Sequence, residues 1–146
     1  MTTPMPSISL NGQLLPLTPG ETILDVGRAH GIDIPTLCWY PKLPTVANCR
    51  ICLVSIEGQG KLQPACYIQA ADGMVIQTES PAAVDNRRGV LGLLMERYAG
   101  EHLSNGGREH PRNEFEEYVV RYDGPASSHR ELGLRGGDER PVDVMI

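Results

Sequence analysis

Cys38, Cys49, Cys52 and Cys66 follow the spacing C-x10-C-x2-C-x13-C and are the only cysteines in a chain of 146 residues. Soft thiolate ligands select iron–sulfur units or zinc, and four of them complete the ligand set of a [2Fe–2S] or [4Fe–4S] cluster. All four fall within one short stretch with none spare, which predicts a single shared metal site. The competing reading is a structural or regulatory protein that uses the four cysteines for a closed zinc site or for cluster sensing. Such zinc sites usually pair two short C-x2–4-C knuckles, and only Cys49 and Cys52 form one here, so the spacing favours iron–sulfur. A disulfide framework is disfavoured. Residues 1–7 show neither the positive nor the apolar region of an export signal, so the expected setting is the reducing cytoplasm, where cysteines read first as metal ligands.

Other side chains near the cysteines admit two readings each. Trp39 and Tyr40 follow the first cysteine and serve either as packing, the favoured reading, or as a shield for the metal centre. Arg50 lies between two cysteines and is either a solvated side chain or a counter-charge to the site or to a partner's carboxylate. Arg87 and Arg88 are expected on a helix surface, where they would serve as a docking contact. His102 and His110 read as ordinary surface histidines. No Gly-rich nucleotide loop follows a strand and no nucleophile–base pair stands out, so the sequence carries no catalytic site of its own.

The elements that must position the cysteines are short. Residues 7–12 alternate and end in Asn11-Gly12, a tight hairpin signal, with residues 13–17 returning. Thr18-Pro19-Gly20-Glu21 has the Thr-x-x-Glu form of a capping box. It predicts a short helix with Ile23, Val26, Gly27 and His30 on one face, stopped by Gly31. Residues 38–49 are irregular, which suits metal binding because free N–H groups can point at sulfur. Residues 53–57 and 61–66 form a second hairpin, and residues 74–78 a last strand. Together these make a small mixed sheet with one helix packed across it.

Composition changes near Pro81. All four cysteines and both lysines precede it. Residues 81–99 read as a helix with Val84, Leu91, Leu94, Met95 and Tyr98 apolar and Gly100 as its stop. Residues 114–122 place Phe115, Tyr118, Val119 and Tyr122 on one face, with Asn113 and Glu116 as the cap. A helix this short is marginal alone, so that face must fold back on the domain or dock a partner. The chain thus divides into residues 1–80, a helical extension over 81–123 and a polar, loosely ordered arm over 124–146.

The net charge of −5 argues against non-specific nucleic-acid binding and against an anionic membrane surface. No stretch approaches the roughly 20 apolar residues that cross a bilayer. Only 5% of residues are aromatic, so the core is modest and a metal staple would support it.

Three segments carry a family resemblance: Ile34-Pro35-Thr36-Leu37-Cys38-Trp39-Tyr40-Pro41, Asn48-Cys49-Arg50-Ile51-Cys52-Leu53-Val54 and Gln63-Pro64-Ala65-Cys66. Gly73-Met74-Val75-Ile76-Gln77-Thr78 and Arg87-Arg88 continue it. The chain resembles the [2Fe–2S] ferredoxin domain at the N-terminus of complex I's large peripheral subunit. It is similar also to NAD-reducing hydrogenases, iron-only hydrogenases and NAD-linked formate dehydrogenase alpha subunits. The resemblance implies an α+β, β-grasp ferredoxin-like fold with Cys38, Cys49, Cys52 and Cys66 as ligands of one [2Fe–2S] cluster. It implies a one-electron relay, with a flavin/NADH-handling subunit and a catalytic oxidoreductase subunit as partners. All-cysteine ligation in an acidic chain predicts a low reduction potential. Two departures stand out. Ala47 occupies a position where the family usually has glycine. The His-Pro-x-x-Cys-x-x-Cys segment that holds a further cluster in many members is missing, so a second cluster is not expected. Residues 113–133 loosely resemble a linker of formate dehydrogenase alpha chains, which predicts a separate small subunit or a fragment.

Overall fold

The computed structural model describes residues 4–98, 103 and 107–122. Strands β1 (Ser7–Leu10) and β2 (Gln13–Pro16) form the expected hairpin. Asn11 and Gly12 both take positive φ, 54° and 82°, as a type I′ turn requires. Strands β3 (Leu53–Ile56), β4 (Gln63–Pro64) and β5 (Val75–Gln77) complete a five-stranded sheet of order β2-β1-β5-β3-β4. The central β1–β5 pair is parallel, with Ser9 opposite Val75, and every other pair is antiparallel. This is the mixed sheet of a β-grasp, ferredoxin-like α+β fold. The returning strand of the second hairpin is shorter than residues 61–66, only two residues long, and it ends on Pro64 at the sheet edge, where a missing N–H is tolerated.

Helix α1 (Ile23–Ala29) packs on the sheet through Ile23, Leu24, Val26 and Gly27. Its cap differs from the expected one. Thr22, not Thr18, is the N-cap: its hydroxyl accepts the Asp25 N–H at 3.2 Å and the Asp25 carboxylate accepts the Thr22 N–H at 3.0 Å. Thr18 and Glu21 close the preceding turn instead, the Glu21 carboxylate accepting the Thr18 N–H at 2.8 Å. Two consecutive Thr-x-x-acid units compete here, and the one nearer the apolar run starts the helix. His30, expected on the packed face, is exposed, and Gly31 follows with φ 72°.

Helix α2 (Pro81–Met95) begins at the Ser80 cap and buries Ala83, Arg87, Leu91 and Met95, an i, i+4 stripe. It stops at Met95 rather than at residue 99, and Leu94, expected on the buried face, is 43% exposed. The expected Gly100 stop and His102 lie outside the described residues, as does the arm over 124–146. Helix α3 (Glu114–Arg121) is capped by Asn113, whose Oδ1 accepts the Glu116 N–H at 2.9 Å. Its Tyr118 and Val119, with Tyr122 at the C-cap, are buried, so this face folds back on the domain. Among the described residues, no helix is long and apolar enough to cross a membrane.

Two apolar cores result. One lies between the sheet and α1; the other joins α2 and α3 and includes Leu91, Met95, Leu103, Tyr118, Val119 and Tyr122. Cys52 belongs to the first and its neighbour Ile51, fully buried, to the second. The cysteine loop is therefore the seam between them.

The second core is tied by an acid-sensitive contact. Buried Glu116 accepts the Arg112 backbone N–H at 2.7 Å, Arg112 Nη2 at 2.8 Å and the Tyr98 hydroxyl at 2.9 Å. Hydrogen bonds from Arg112 outweigh burial and lower the Glu116 carboxyl from 4.5 to about 2. A depressed folded-state pKa contributes stability that is present above the unfolded value and lost as pH falls through the folded one. Glu116 therefore stabilises the fold fully above about pH 4.5, and that contribution disappears toward pH 2. Unfolding midpoints measured across this window should fall more steeply in the parent than in Glu116→Gln.

Candidate metal centre

The segment entering Cys38 is fixed from two sides. Arg28 of α1 donates from Nη2 to the Thr36 hydroxyl at 3.0 Å and stacks over the Trp39 ring at 4.4 Å. The Thr36 N–H donates to the Tyr118 hydroxyl of α3 at 3.3 Å. Trp39 packs against the sheet core, the favoured reading, whereas Tyr40 is exposed. Beyond Cys38 the backbone is irregular up to Leu53, and Ala47 and Arg50 both take the left-handed conformation, φ 49° and 60°.

Ala47 thus stands in a left-handed conformation that favours glycine. A non-glycine residue in this region costs about 1–2 kcal/mol, while glycine loses more chain entropy on folding, roughly 0.5–1 kcal/mol. Ala47→Gly is expected to be neutral to stabilising, by up to about 1 kcal/mol, and Ala47→Val clearly destabilising. Thermal midpoints of the two variants check the sign, and a large loss in Ala47→Gly would contradict it.

The turn aims backbone N–H groups at sulfur. The Cys49 N–H donates to Cys38 Sγ at 3.4 Å. Burial opposes the Cys38 thiolate, but N–H groups of Cys49, Asn48 and Cys38 itself outweigh it and lower its pKa. For Cys49, burial wins and raises the thiol, against N–H groups from Ile51, Leu37 and Cys38. Cys66 is pushed up to about 12, first by burial and then by Cys52 and the other two cysteines. Four thiols this close resist ionisation together unless a cation compensates them.

The thiols influence one another's ionisation most strongly in two pairs, Cys38 with Cys49 and Cys52 with Cys66. The first pair is partly exposed and the second buried. A four-thiolate zinc ion would draw all four sulfurs to one point, whereas a two-iron unit takes two at each iron. The donor set fits the two-iron unit.

Helix α2 supplies residues whose place the sequence does not announce. Arg87, expected on the helix surface, is fully buried on the i, i+4 stripe of α2. It donates from Nε to the Ile51 carbonyl at 3.2 Å and from Nη2 to the Leu53 carbonyl at 3.3 Å, on either side of Cys52. Glu79 at 3.2 Å and the Tyr122 ring at 5.3 Å complete its surroundings. Asn86 donates from Nδ2 to the Arg50 carbonyl at 2.7 Å. Arg88 is exposed, as expected, and donates to the Tyr122 carbonyl at 3.0 Å. The signal for Arg87 is its register: Ala83, Arg87, Leu91 and Met95 share one helical face, and a cation there needs buried acceptors.

A sequence profile of the 2Fe-2S iron-sulfur cluster binding domain matches residues 4–81. The chain belongs to this family. Its cofactor is a [2Fe–2S] cluster, in favour of the iron–sulfur reading over zinc. Among curated relatives, an NADH-quinone oxidoreductase polypeptide of Rhizobium meliloti is 43% identical over 62% of this chain and 11% of its own length. The HndD polypeptide of the NADP-reducing hydrogenase of Solidesulfovibrio fructosivorans is 33% identical over 97% of this chain and 26% of its own. A chain in the crystal structure of the NAD+-reducing [NiFe]-hydrogenase in the H2-reduced state superposes with TM-score 0.68 at 25% identity, covering 81% of this chain and 49% of that one. The protein is a 2Fe-2S domain homologous to components of hydrogenases and NADH-quinone oxidoreductases. It spans 11% of the first curated relative's length and 26% of the second's.

Proposed function

We propose that Cys38, Cys49, Cys52 and Cys66 are the four ligands of one [2Fe–2S] cluster, and that the chain is a one-electron carrier module of a multi-subunit, NAD(H)-linked oxidoreductase. The observation that carries this reading is that all four thiols act on one another's ionisation, with the Cys49 N–H donating to Cys38 Sγ at 3.4 Å. The cluster supplies one-electron chemistry when bound; the chain orients its ligands, offers hydrogen bonds to sulfur and excludes water from the buried pair. A flavin/NADH-handling subunit and a catalytic oxidoreductase subunit are the partners this reading requires, and the cytoplasm is the compartment that keeps the free thiols available. Residues 1–80 form the cofactor module and residues 81–123 the helical extension that braces it, a division supported by the two apolar cores.

All-thiolate ligation and a net charge of −5 both oppose the gain of an electron. Anaerobically purified protein is therefore expected to be reddish-brown, to hold two irons and two acid-labile sulfides per chain, and to titrate as a one-electron couple with a negative midpoint. Stoichiometric zinc without sulfide would replace this reading with the structural one. A positive midpoint would leave the cluster in place but overturn the low-potential assignment.

A further inference from the structure

We propose that Asn86 and Arg87 are positioning residues that set the reduction potential, by holding the carbonyls of the Cys49–Cys52 segment toward α2 so that its N–H groups face the ligand sulfurs. This rests on the four-cysteine cluster reading above. In a trans peptide the C=O and N–H point in opposite directions, and no cis bond occurs among the described residues. Asn86 takes the Arg50 carbonyl at 2.7 Å, and the N–H of that same peptide, on Ile51, is the largest backbone influence that lowers the Cys49 thiol. Arg87 Nε takes the Ile51 carbonyl at 3.2 Å, which turns the Cys52 N–H of that peptide away from α2. The left-handed φ of Arg50, 60°, provides the backbone turn between the two peptides.

Arg87 adds charge to this geometry. Its guanidinium is wholly buried, and its Glu79 counter-ion is 45% exposed and shared with Arg121. One electron adds one negative charge to the site, and N–H donors to sulfur and a nearby buried cation favour that state. Asn86 acts through hydrogen-bond geometry alone; Arg87 acts through geometry and charge.

Redox titration of the full chain tests this with Asn86→Ala, Arg87→Lys and Arg87→Met, each compared at equal iron and sulfide content. Asn86→Ala should shift the reduction equilibrium about threefold toward the oxidised form. Arg87→Met should shift it about tenfold, equivalent to about 59 mV for one electron. Arg87→Lys keeps the charge and should fall between the parent and Arg87→Met. Variants with full clusters that titrate with the parent, even if they melt earlier, reduce both residues to a structural role and overturn the proposal. Should the Arg87 variants fail to assemble, Asn86→Ala decides alone. Parent protein lacking iron and sulfide removes the cluster reading itself, an outcome distinct from a loaded parent whose variants do not shift.

Discussion

Cys66→Ser is expected to abolish retention of iron and sulfide while leaving the metal-free fold close to the parent's. Cys66 is only 1% exposed, and its thiol is pushed up to about 12 by burial and by the three neighbouring cysteines. Without metal it is neutral at about pH 7, a small group in the sheet core, so its replacement disturbs little charge. With metal the same sulfur must be a thiolate, and its proton is released on binding. The substitution therefore separates two quantities. Bound iron and sulfide should fall from two each to near none. The melting point of the metal-free protein should move by no more than the loss of one buried sulfur allows, about 1–2 kcal/mol. The other three cysteines should behave alike for metal content. Cys38, already lowered by N–H groups, should be the most readily alkylated in the metal-free protein. Near-parental iron in Cys66→Ser would remove this residue from the ligand set, and with it the pairing with Cys52.

The four candidate ligands stand out because cysteine is a soft donor and all four stand in one stretch, so spacing and chemistry agree. The sheet is readable for a similar reason: Asn11-Gly12 and the alternation of Ser7–Leu10 leave one hairpin geometry, and the structure keeps it. What escapes such a reading depends on competition or on tertiary partners. Thr18 and Thr22 offer nearly the same cap, and only packing of Ile23 and Leu24 against the sheet decides between them. Arg87 looks like a surface cation because nothing local announces the carbonyls of Ile51 and Leu53, which lie 36 and 34 positions earlier. Ala47 is visible as a departure from its family, but its meaning depends on φ, which a sequence does not print. Its 49° lies in the region that favours glycine.

The helical extension offers the larger mechanical test. Removing residues 113–146 deletes α3 and with it the buried Tyr118, Val119 and Tyr122. Burial of each such side chain contributes about 1.5–3 kcal/mol, so the loss is roughly 4.5–9 kcal/mol. That is a large share of the roughly 5–15 kcal/mol that holds a typical domain. The damage should reach the cysteines by three routes. Ile51 loses part of the core that anchors it. Thr36 loses the Tyr118 hydroxyl that accepts its N–H two residues before Cys38. Arg87 loses the Tyr122 hydroxyl and ring but keeps Glu79 and the carbonyls of Ile51 and Leu53, so this route costs about 1–3 kcal/mol, the loss of one hydrogen bond from a buried charge. A second truncation, removing only residues 123–146, leaves all of these contacts in place and serves as the comparison. The longer deletion should melt well below the shorter one and lose its iron faster to a chelator. Equal melting points and equal chelation rates would mean that α3 is an ornament on the fold, and the seam at Ile51 would then have to be held by the sheet and α2 alone.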